Sequence, residues 1–165
     1  MQSVGRNGIA TDRLLFDGGC YGFPDRIERT LELAHPPARV WAALTTAEGL
    51  GTWFGDSATI DLRPGGVAEM TWTGGDKASM RIERIDEPTV FGFTWGINGL
   101  PDDDPRRTYV EFTLVPTASG TRLTVVESGF AQLPEDAFRT AFDGNTDGWA
   151  HELGELVEYL DSVAA

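Results

Sequence analysis

One acidic residue in the second half of the sequence has the pattern of a buried carboxylate. In the stretch 121–128, Leu123, Val125 and Glu127 share one parity, and the two apolar residues assign that parity to the protein interior. A carboxylate on an interior face must be hydrogen-bonded, paired with a cation or protonated through a raised pKa. Glu127 could therefore orient a ligand's polar group or act as a general acid or base. In the alternative interpretation, the strand ends near Glu127 and the side chain reaches water.

A set of aromatic residues could form the wall of a ligand cavity around this carboxylate. Small-molecule cavities are mostly apolar and carry a few placed polar groups. The candidate cavity residues, in addition to Glu127, are Trp53, Phe54, Trp72, Phe91, Phe93, Trp95, Phe112, Phe130 and Tyr159. An ordinary packed core would use the same aromatic residues, so both interpretations apply to each of them. Tyr159 shares a flank of the last predicted helix with Glu152, where a side chain faces either the cavity or its outer border.

The remaining reactive residue types do not form a catalytic or metal-binding motif. His35 and His151 are far apart in the predicted fold, and neither is expected to have a carboxylate at ligand spacing. Cys20 has no base near it in the sequence, and the glycine pairs lie between predicted strands, unlike a phosphate-binding loop. The sequence thus predicts no catalytic residue, no metal site and no cofactor.

The elements that must position these residues are read from hydrophobic periodicity. In the stretch 146–163, Trp149, Leu153, Leu156 and Leu160 recur at spacings of three and four, which predicts a long amphipathic helix. Upstream, the pattern predicts a strand over 27–34, short helices over 38–46 and 47–54, and six strands between 58 and 128. Closely spaced strands without intervening helices favour an antiparallel meander. The predicted fold class is α+β, with a curved antiparallel sheet of about seven strands wrapped around a long C-terminal helix.

Composition narrows the possible partners. The chain has 165 residues and a net charge of −13, so it is expected to repel nucleic acids and anionic membrane surfaces. No apolar run approaches the ~20 residues of a membrane-spanning helix. A single cysteine excludes an internal disulfide and is typical of a reducing compartment, which predicts a cytoplasmic protein.

Several short motifs, taken in order, resemble a known family. They are Pro37-Ala-Arg-Val-Trp-Ala-Ala-Leu-Thr45, Gly49-Leu50, Trp53-Phe54, Pro64-Gly-Gly66, Pro88 before Phe93-Thr-Trp95, Gly120-Thr-Arg-Leu-Thr124, Ser128-Gly-Phe130 and Gly148-Trp149 followed by Leu153, Leu156, Tyr159 and Leu160. This order resembles START-like (SRPBCC) domains, and in particular the bacterial homologues of the activator of the heat-shock protein 90 ATPase. The resemblance assigns 27–165 to a START-like domain and leaves 1–26 as an N-terminal extension of unknown role.

The resemblance implies a helix-grip fold with a cavity between sheet and helix, but that fold serves many functions. The leading hypothesis is a protein that binds a small hydrophobic or amphipathic molecule, as a monomer or homodimer, with no catalysis demonstrated. One alternative is a co-chaperone-like protein that stimulates a heat-shock ATPase through its surface, with that chaperone as its partner. A second alternative is a polyketide-type cyclase or dehydratase, which would need an acid–base pair in the cavity.

Overall fold

The computed structural model describes residues 25–97, 100–101 and 103–163. The elements, in chain order, are β1 (Arg26–Leu33), α1 (Pro37–Thr45), α2 (Ala47–Gly49) continued by a π-helical turn (Leu50–Phe54), β2 (Ser57–Ile60), β3 (Val67–Thr71), β4 (Lys77–Asp86), β5 (Val90–Gly96), β6 (Arg107–Thr117), β7 (Gly120–Ser128), a 3₁₀ turn (Phe130–Gln132) and α3 (Glu135–Val163). The predicted N-terminal extension, including Cys20, lies outside the described residues except for Asp25 and Arg26.

The seven strands form one antiparallel sheet in the order β1-β7-β6-β5-β4-β3-β2. This arrangement confirms the α+β helix-grip prediction, with the short helices placed after the first strand. Because side chains alternate between the faces of a strand, paired residues form rows across the inner face. The central row is buried and consists of Ile27, Glu127, Val110, Phe93 and Ile82.

Helix α3 fills the inner side of this sheet with one apolar stripe. Its buried residues are Phe138, Ala141, Trp149, Leu153, Leu156 and Leu160. The predicted start of this helix, at residue 146, is wrong, because α3 begins at Glu135, directly after Pro134. Gly144, Asn145 and Gly148 are poor helix formers that obscured the pattern, and packing against the sheet overrides their low propensity.

The C-terminal end of α3 is fixed to the region that joins β1 and α1. The ring of His35 is hydrogen-bonded to Asp161, with 2.8 Å between Nε2 and Oδ1. Arg39 donates from Nη1 to the carbonyl oxygen of Val163 at 2.8 Å. These contacts hold one end of the helix, while the aromatic residues described below hold its middle.

Candidate functional site

Glu127 is a fully buried carboxylate near the end of β7. Its exposed fraction is 0%, and β7 continues through Ser128. The alternative in which the strand end exposes Glu127 to water is therefore wrong. The parity of Leu123, Val125 and Glu127 did identify the interior face, since all three are buried.

Four side chains donate hydrogen bonds to the two oxygens of Glu127. Oε2 accepts from Trp95 Nε1 at 2.8 Å and from Thr108 Oγ1 at 2.6 Å. Oε1 accepts from Trp149 Nε1 at 2.8 Å. The amide nitrogen of Asn145 lies 3.0 Å from Oε1 and 2.9 Å from Oε2. We refer to Glu127 and these four donors as the carboxylate cage.

The cage explains how an acidic side chain lies in the core without a basic partner. All four donors are uncharged, and an ionised carboxylate only accepts hydrogen bonds, so the arrangement suits that form. Buried polar groups are stable when such bonds replace those lost to water. Since both oxygens of Glu127 already accept bonds, the cage is a structural feature rather than a free acid or base.

The cage also fixes the orientation of the neighbouring indoles. The N–H groups of Trp95 and Trp149 are used by Glu127, and Trp72 donates from Nε1 to the carbonyl oxygen of Phe54 at 2.9 Å. The Phe54 ring lies between them, with its centroid 6.0 Å from Trp72, 5.8 Å from Trp95 and 5.9 Å from Trp149. With their N–H groups engaged, these indoles offer apolar π surfaces to whatever lies beside them.

A cavity of about 780 Å³ lies next to these indoles. Strand parity shows that it extends around both faces of the sheet near the β3–β4 hairpin. Lys77, Ser79 and Arg107 have outward parity, as do Glu69 and Thr71, which pair with Ser79 and Lys77. We call the part of this cavity that faces α3 the inner compartment. It is defined by the lining residues that have inward parity or lie on the α2–π turn and α3, which are Phe54, Trp72, Ala78, Trp95, Gly144, Asn145, Gly148, Trp149 and Glu152.

Glu152 is the charged side chain of this inner compartment. It is half-buried on α3, and its Oε1 atom is closed off from solvent without a hydrogen-bond partner among the described residues. Burial raises the pKa of the Glu152 carboxyl to about 7 from its ordinary value of 4.5, and repulsion from Glu155 acts in the same direction. Glu152 can therefore exchange a proton near neutral pH, unlike a surface glutamate.

The structure separates the sequence-predicted cavity residues into three groups. Phe54, Trp72 and Trp95 line the cavity. The residues placed in the surrounding core are Trp53, Phe91, Phe93, Phe112 and Phe130, and Glu127 lies behind the indole wall. Tyr159 packs against the core and is not among the cavity-lining residues.

Sequence reasoning missed Thr108 and Asn145, and it did not include Trp149 or Glu152 among the site residues. Asn145 lay just upstream of the predicted helix. A signal for it was present, because Phe138, Ala141, Asn145 and Trp149 continue the helical stripe backwards at spacings of three and four. Thr108 had no comparable signal, since a threonine near a strand start is usually unremarkable.

One group on α3 offers metal-ligating atoms. His151, Glu152 and Glu155 each have a ligand atom within 4.8 Å of the others. The expectation that neither histidine has a neighbouring carboxylate is therefore wrong for His151, and also for His35, whose ring contacts Asp161. His151 and Glu155 are exposed, and exposed acidic groups of this kind are common without a metal, so we assign no metal to them.

The family model for Activator of Hsp90 ATPase homolog 1-like protein matches residues 34–161. No curated protein matches the chain significantly. In the described part of the chain, no helix has both the length and the hydrophobicity that a bilayer span requires.

Solved structures share the fold. Protein MLL2253 from Mesorhizobium loti is 26% identical, with a TM-score of 0.73, over 85% of this chain and 99% of that one. NE0264 from Nitrosomonas europaea is 25% identical, with a TM-score of 0.67, over 83% of this chain and 94% of its own. The Aha1 dimer from Colwellia psychrerythraea is 16% identical, with a TM-score of 0.69, over 85% of this chain and 98% of that chain. At 16% identity, this last likeness concerns the fold alone.

Proposed function

Since the chain belongs to the Activator of Hsp90 ATPase homolog 1-like protein family, we propose that it binds a small hydrophobic or amphipathic molecule between the sheet and helix α3. The observation that supports this proposal is the inner compartment, whose indole walls present π surfaces because their N–H groups are already bonded. An apolar wall beside one placed polar group is the usual composition of a ligand site.

Two glycines of helix α3 contribute to the space in the cavity that a ligand would fill. Gly144 and Gly148 line the cavity, and a Cβ atom built on either would meet nothing within 4 Å beyond its chain neighbours and the adjacent backbone of its own helix. Glycine inside a helix costs about 1 kcal/mol relative to alanine, so its presence needs a reason other than crowding. At Gly148, which lies between Asn145 and Glu152 on the cavity side of α3, the missing side chain leaves this part of the cavity open.

The same compartment gives less support to acid–base chemistry. A cyclase or dehydratase needs a group that accepts a proton and another that donates one. Glu152 could serve as one of them, but Glu127 is engaged by its four donors. Among the described residues that line the inner compartment, Glu152 has no titratable partner for such a pair.

The proposal is tested by mass spectrometry of a solvent extract from freshly purified protein, beside native spectra of the intact protein. We expect a small organic molecule at a near-stoichiometric ratio. The neutral dye Nile red, whose emission rises in apolar surroundings, provides a second test on extracted protein. We expect it to bind at one site and to compete with the extracted molecule.

Matched variants on α3 locate the site. Gly148→Leu fills the inner compartment with a side chain, whereas Gly154→Leu places the same side chain outside the cavity lining. We expect Gly148→Leu to lose both the copurified molecule and Nile red binding, and Gly154→Leu to keep them. Equal binding by both variants, or no binding by the native protein, would refute the proposal.

A second candidate function is stimulation of a chaperone ATPase, and the family description itself favours it. Leu62 and Val67 are 41% and 48% exposed on the two sides of one turn, so a small apolar surface is present there. Under this candidate, the protein should accelerate ATP hydrolysis by a purified heat-shock ATPase, and Leu62→Ser should weaken the effect more than Val115→Ser. Unchanged ATPase rates would reject it.

The oligomeric state of the protein is proposed to be a homodimer, with a monomer as the alternative. The support is the fold shared with the Aha1 dimer from Colwellia psychrerythraea. Light scattering on the purified protein should then give twice the mass of one chain, and a single-chain mass at all concentrations would favour the monomer.

A further inference from the structure

Positively and negatively charged side chains line different parts of the cavity. The cations that line the cavity, Lys77 and Arg107, have outward parity, on the opposite face of the sheet from α3. Arg107 is held there by bonds from Nη2 to the carbonyl oxygens of Thr94, at 2.9 Å, and Ser79, at 3.4 Å. Among the described lining residues, the inner compartment therefore contains the Glu152 carboxylate and no cation.

The aromatic walls of the inner compartment also favour a positively charged ligand. Aromatic faces carry negative electrostatic potential and attract cations, with tryptophan the strongest. Trp72, Trp95 and Trp149 have their N–H edges bonded elsewhere, so those edges cannot donate to an anion in the cavity. The net charge of −13 adds a long-range field that attracts cations and repels anions.

Resting on the binding function proposed above, we propose that the ligand is an organic cation, a protonated or quaternary amine joined to an apolar group. Glu152 is its counter-ion, and the faces of Trp72, Trp95 and Trp149 surround the charged end. The unpartnered Oε1 atom of Glu152 fits this assignment, because a buried carboxylate oxygen without a donor is costly unless a ligand compensates it.

The test uses two probes of the same shape that differ in charge. Benzyltrimethylammonium carries a fixed positive charge, and neopentylbenzene is its uncharged carbon isostere. Binding is followed by intrinsic tryptophan fluorescence, since three tryptophans line the inner compartment. We expect the native protein to bind the cation about tenfold more tightly than the isostere, a ratio that corresponds to ~1.4 kcal/mol.

Two glutamate-to-glutamine variants test whether the preference for the cation over the isostere depends on Glu152. Glu152→Gln should weaken binding of the cation about tenfold and change binding of the isostere less than about twofold. Glu158→Gln, an equal loss of charge at an exposed position of the same helix, should leave the preference intact. Full retention of the cation preference in Glu152→Gln would overturn the assignment.

The dependence of cation affinity on pH distinguishes a charge contact of Glu152 from a purely structural role. Because the cation has a fixed charge, its affinity should rise between about pH 6 and pH 8 as Glu152 ionises, while the isostere should show no such rise. The charged groups near this site are His151 and Glu155 on α3, with Glu69, Asp76, Lys77 and Arg107 on the sheet and its hairpin. The profile is therefore repeated with His151→Gln, which removes the imidazole beside Glu152 and should leave the rise in cation affinity in place.

The outcomes separate this inference from the proposed function. Binding of both probes with equal affinity would overturn the organic-cation assignment and retain the binding function. Failure of both probes and of Nile red would overturn both proposals. Tight binding of the cation that depends on Glu152 and on pH would support both.

Discussion

Two carboxylates lie beneath the same sheet, and their surroundings differ in the supply of hydrogen-bond donors. Glu127 is fully buried and accepts bonds from four side chains. Glu152 is half-buried, and its Oε1 atom has no donor among the described residues. Burial alone therefore does not define a functional acid. The unsatisfied group next to a cavity is the better candidate, because a ligand can supply what the protein does not.

Trp149 connects the two regions. Its N–H group donates to Glu127, while its ring lines the cavity near Glu152. The carboxylate cage therefore fixes the position of one cavity-wall residue. Substitutions of the two carboxylates should nevertheless have opposite effects on stability. Removing the hydrogen-bonded carboxylate of Glu127 should lower the free energy of unfolding. Removing the unsatisfied carboxylate of Glu152 should raise it.

The largest effect is expected from Glu127→Ala. The substitution leaves two buried donors, Thr108 and Trp149, and two half-buried ones without their acceptor. Removing one side of a buried charged network typically costs about 3–5 kcal/mol. Urea denaturation should show this loss in the free energy of unfolding. Glu127→Gln keeps the size of the side chain and should cost less than the alanine variant. A loss below about 1 kcal/mol for alanine would contradict the cage as a source of stability.

A smaller loss is expected from Asn145→Ala. Its amide bridges both oxygens of Glu127, and a hydrogen bond to a charged group is worth about 1.5–3 kcal/mol. Asp147→Ala, on the exposed side of α3, should stay within about 0.5 kcal/mol. Equal costs at the two positions, measured by urea denaturation, would show that Asn145 contributes only helix propensity.

The opposite sign is expected from Glu152→Gln. The folded-state pKa of about 7 lies above the ordinary value of 4.5, so the native state binds the proton more tightly than the unfolded chain. Glu152 therefore lowers stability progressively as the pH rises from about 4.5 to 7, and the full cost is present above that range. Since the side chain is half-buried and solvent screens it, we expect the glutamine variant to gain only about 1 kcal/mol near pH 8.

The same comparison at low pH serves as the control for Glu152. At about pH 3.5, below the ordinary pKa of 4.5, the folded and unfolded states of the unsubstituted protein both bind the proton, and the difference from the glutamine variant should largely disappear. Thermal denaturation at the two pH values measures both arms. A gain that is independent of pH would mean that the carboxylate charge is not its cause.

The smallest effects are expected from Gly148→Ala and Gly154→Ala. Each should stabilise α3 by about 0.5–1 kcal/mol, because alanine is the better helix former and the added Cβ meets nothing beyond the adjacent backbone of its own helix. Only Gly148→Ala should also weaken ligand binding, since Gly148 lines the cavity. Thermal melts should show equal stabilisation of the two variants, and Nile red titration should show weaker binding for Gly148→Ala alone. That result would show that Gly148 affects binding through the cavity and not through helix stability.

The fold was predictable because its information is local and periodic. Alternation in β6 and β7 identified the inner face, including Glu127, and the leucine stripe located the C-terminal half of α3. The N-terminal half of α3 was not predicted, because Gly144 and Gly148 lower helix propensity and the compensating packing comes from the sheet.

The candidate site was predictable only in part, because its chemistry depends on orientation. The sequence could propose Trp72 and Trp95 as wall residues, but it could not show that their N–H groups point away from the cavity. Likewise, parity placed Glu127 inside without naming its donors, which come from β5, β6 and α3. The unsatisfied state of Glu152 follows from three-dimensional packing and has no sequence signature.

The carboxylate cage has a further consequence for how the chain selects one strand alignment. Its donors come from β5, β6 and α3, while the acceptor lies on β7. A slip of β5 or β6 by one residue would turn Trp95 or Thr108 to the opposite face and leave Glu127 buried with fewer donors. Misaligned sheets would therefore carry an electrostatic penalty that a purely apolar core would not impose. Glu127 therefore favours the native strand register over registers that are shifted by one residue.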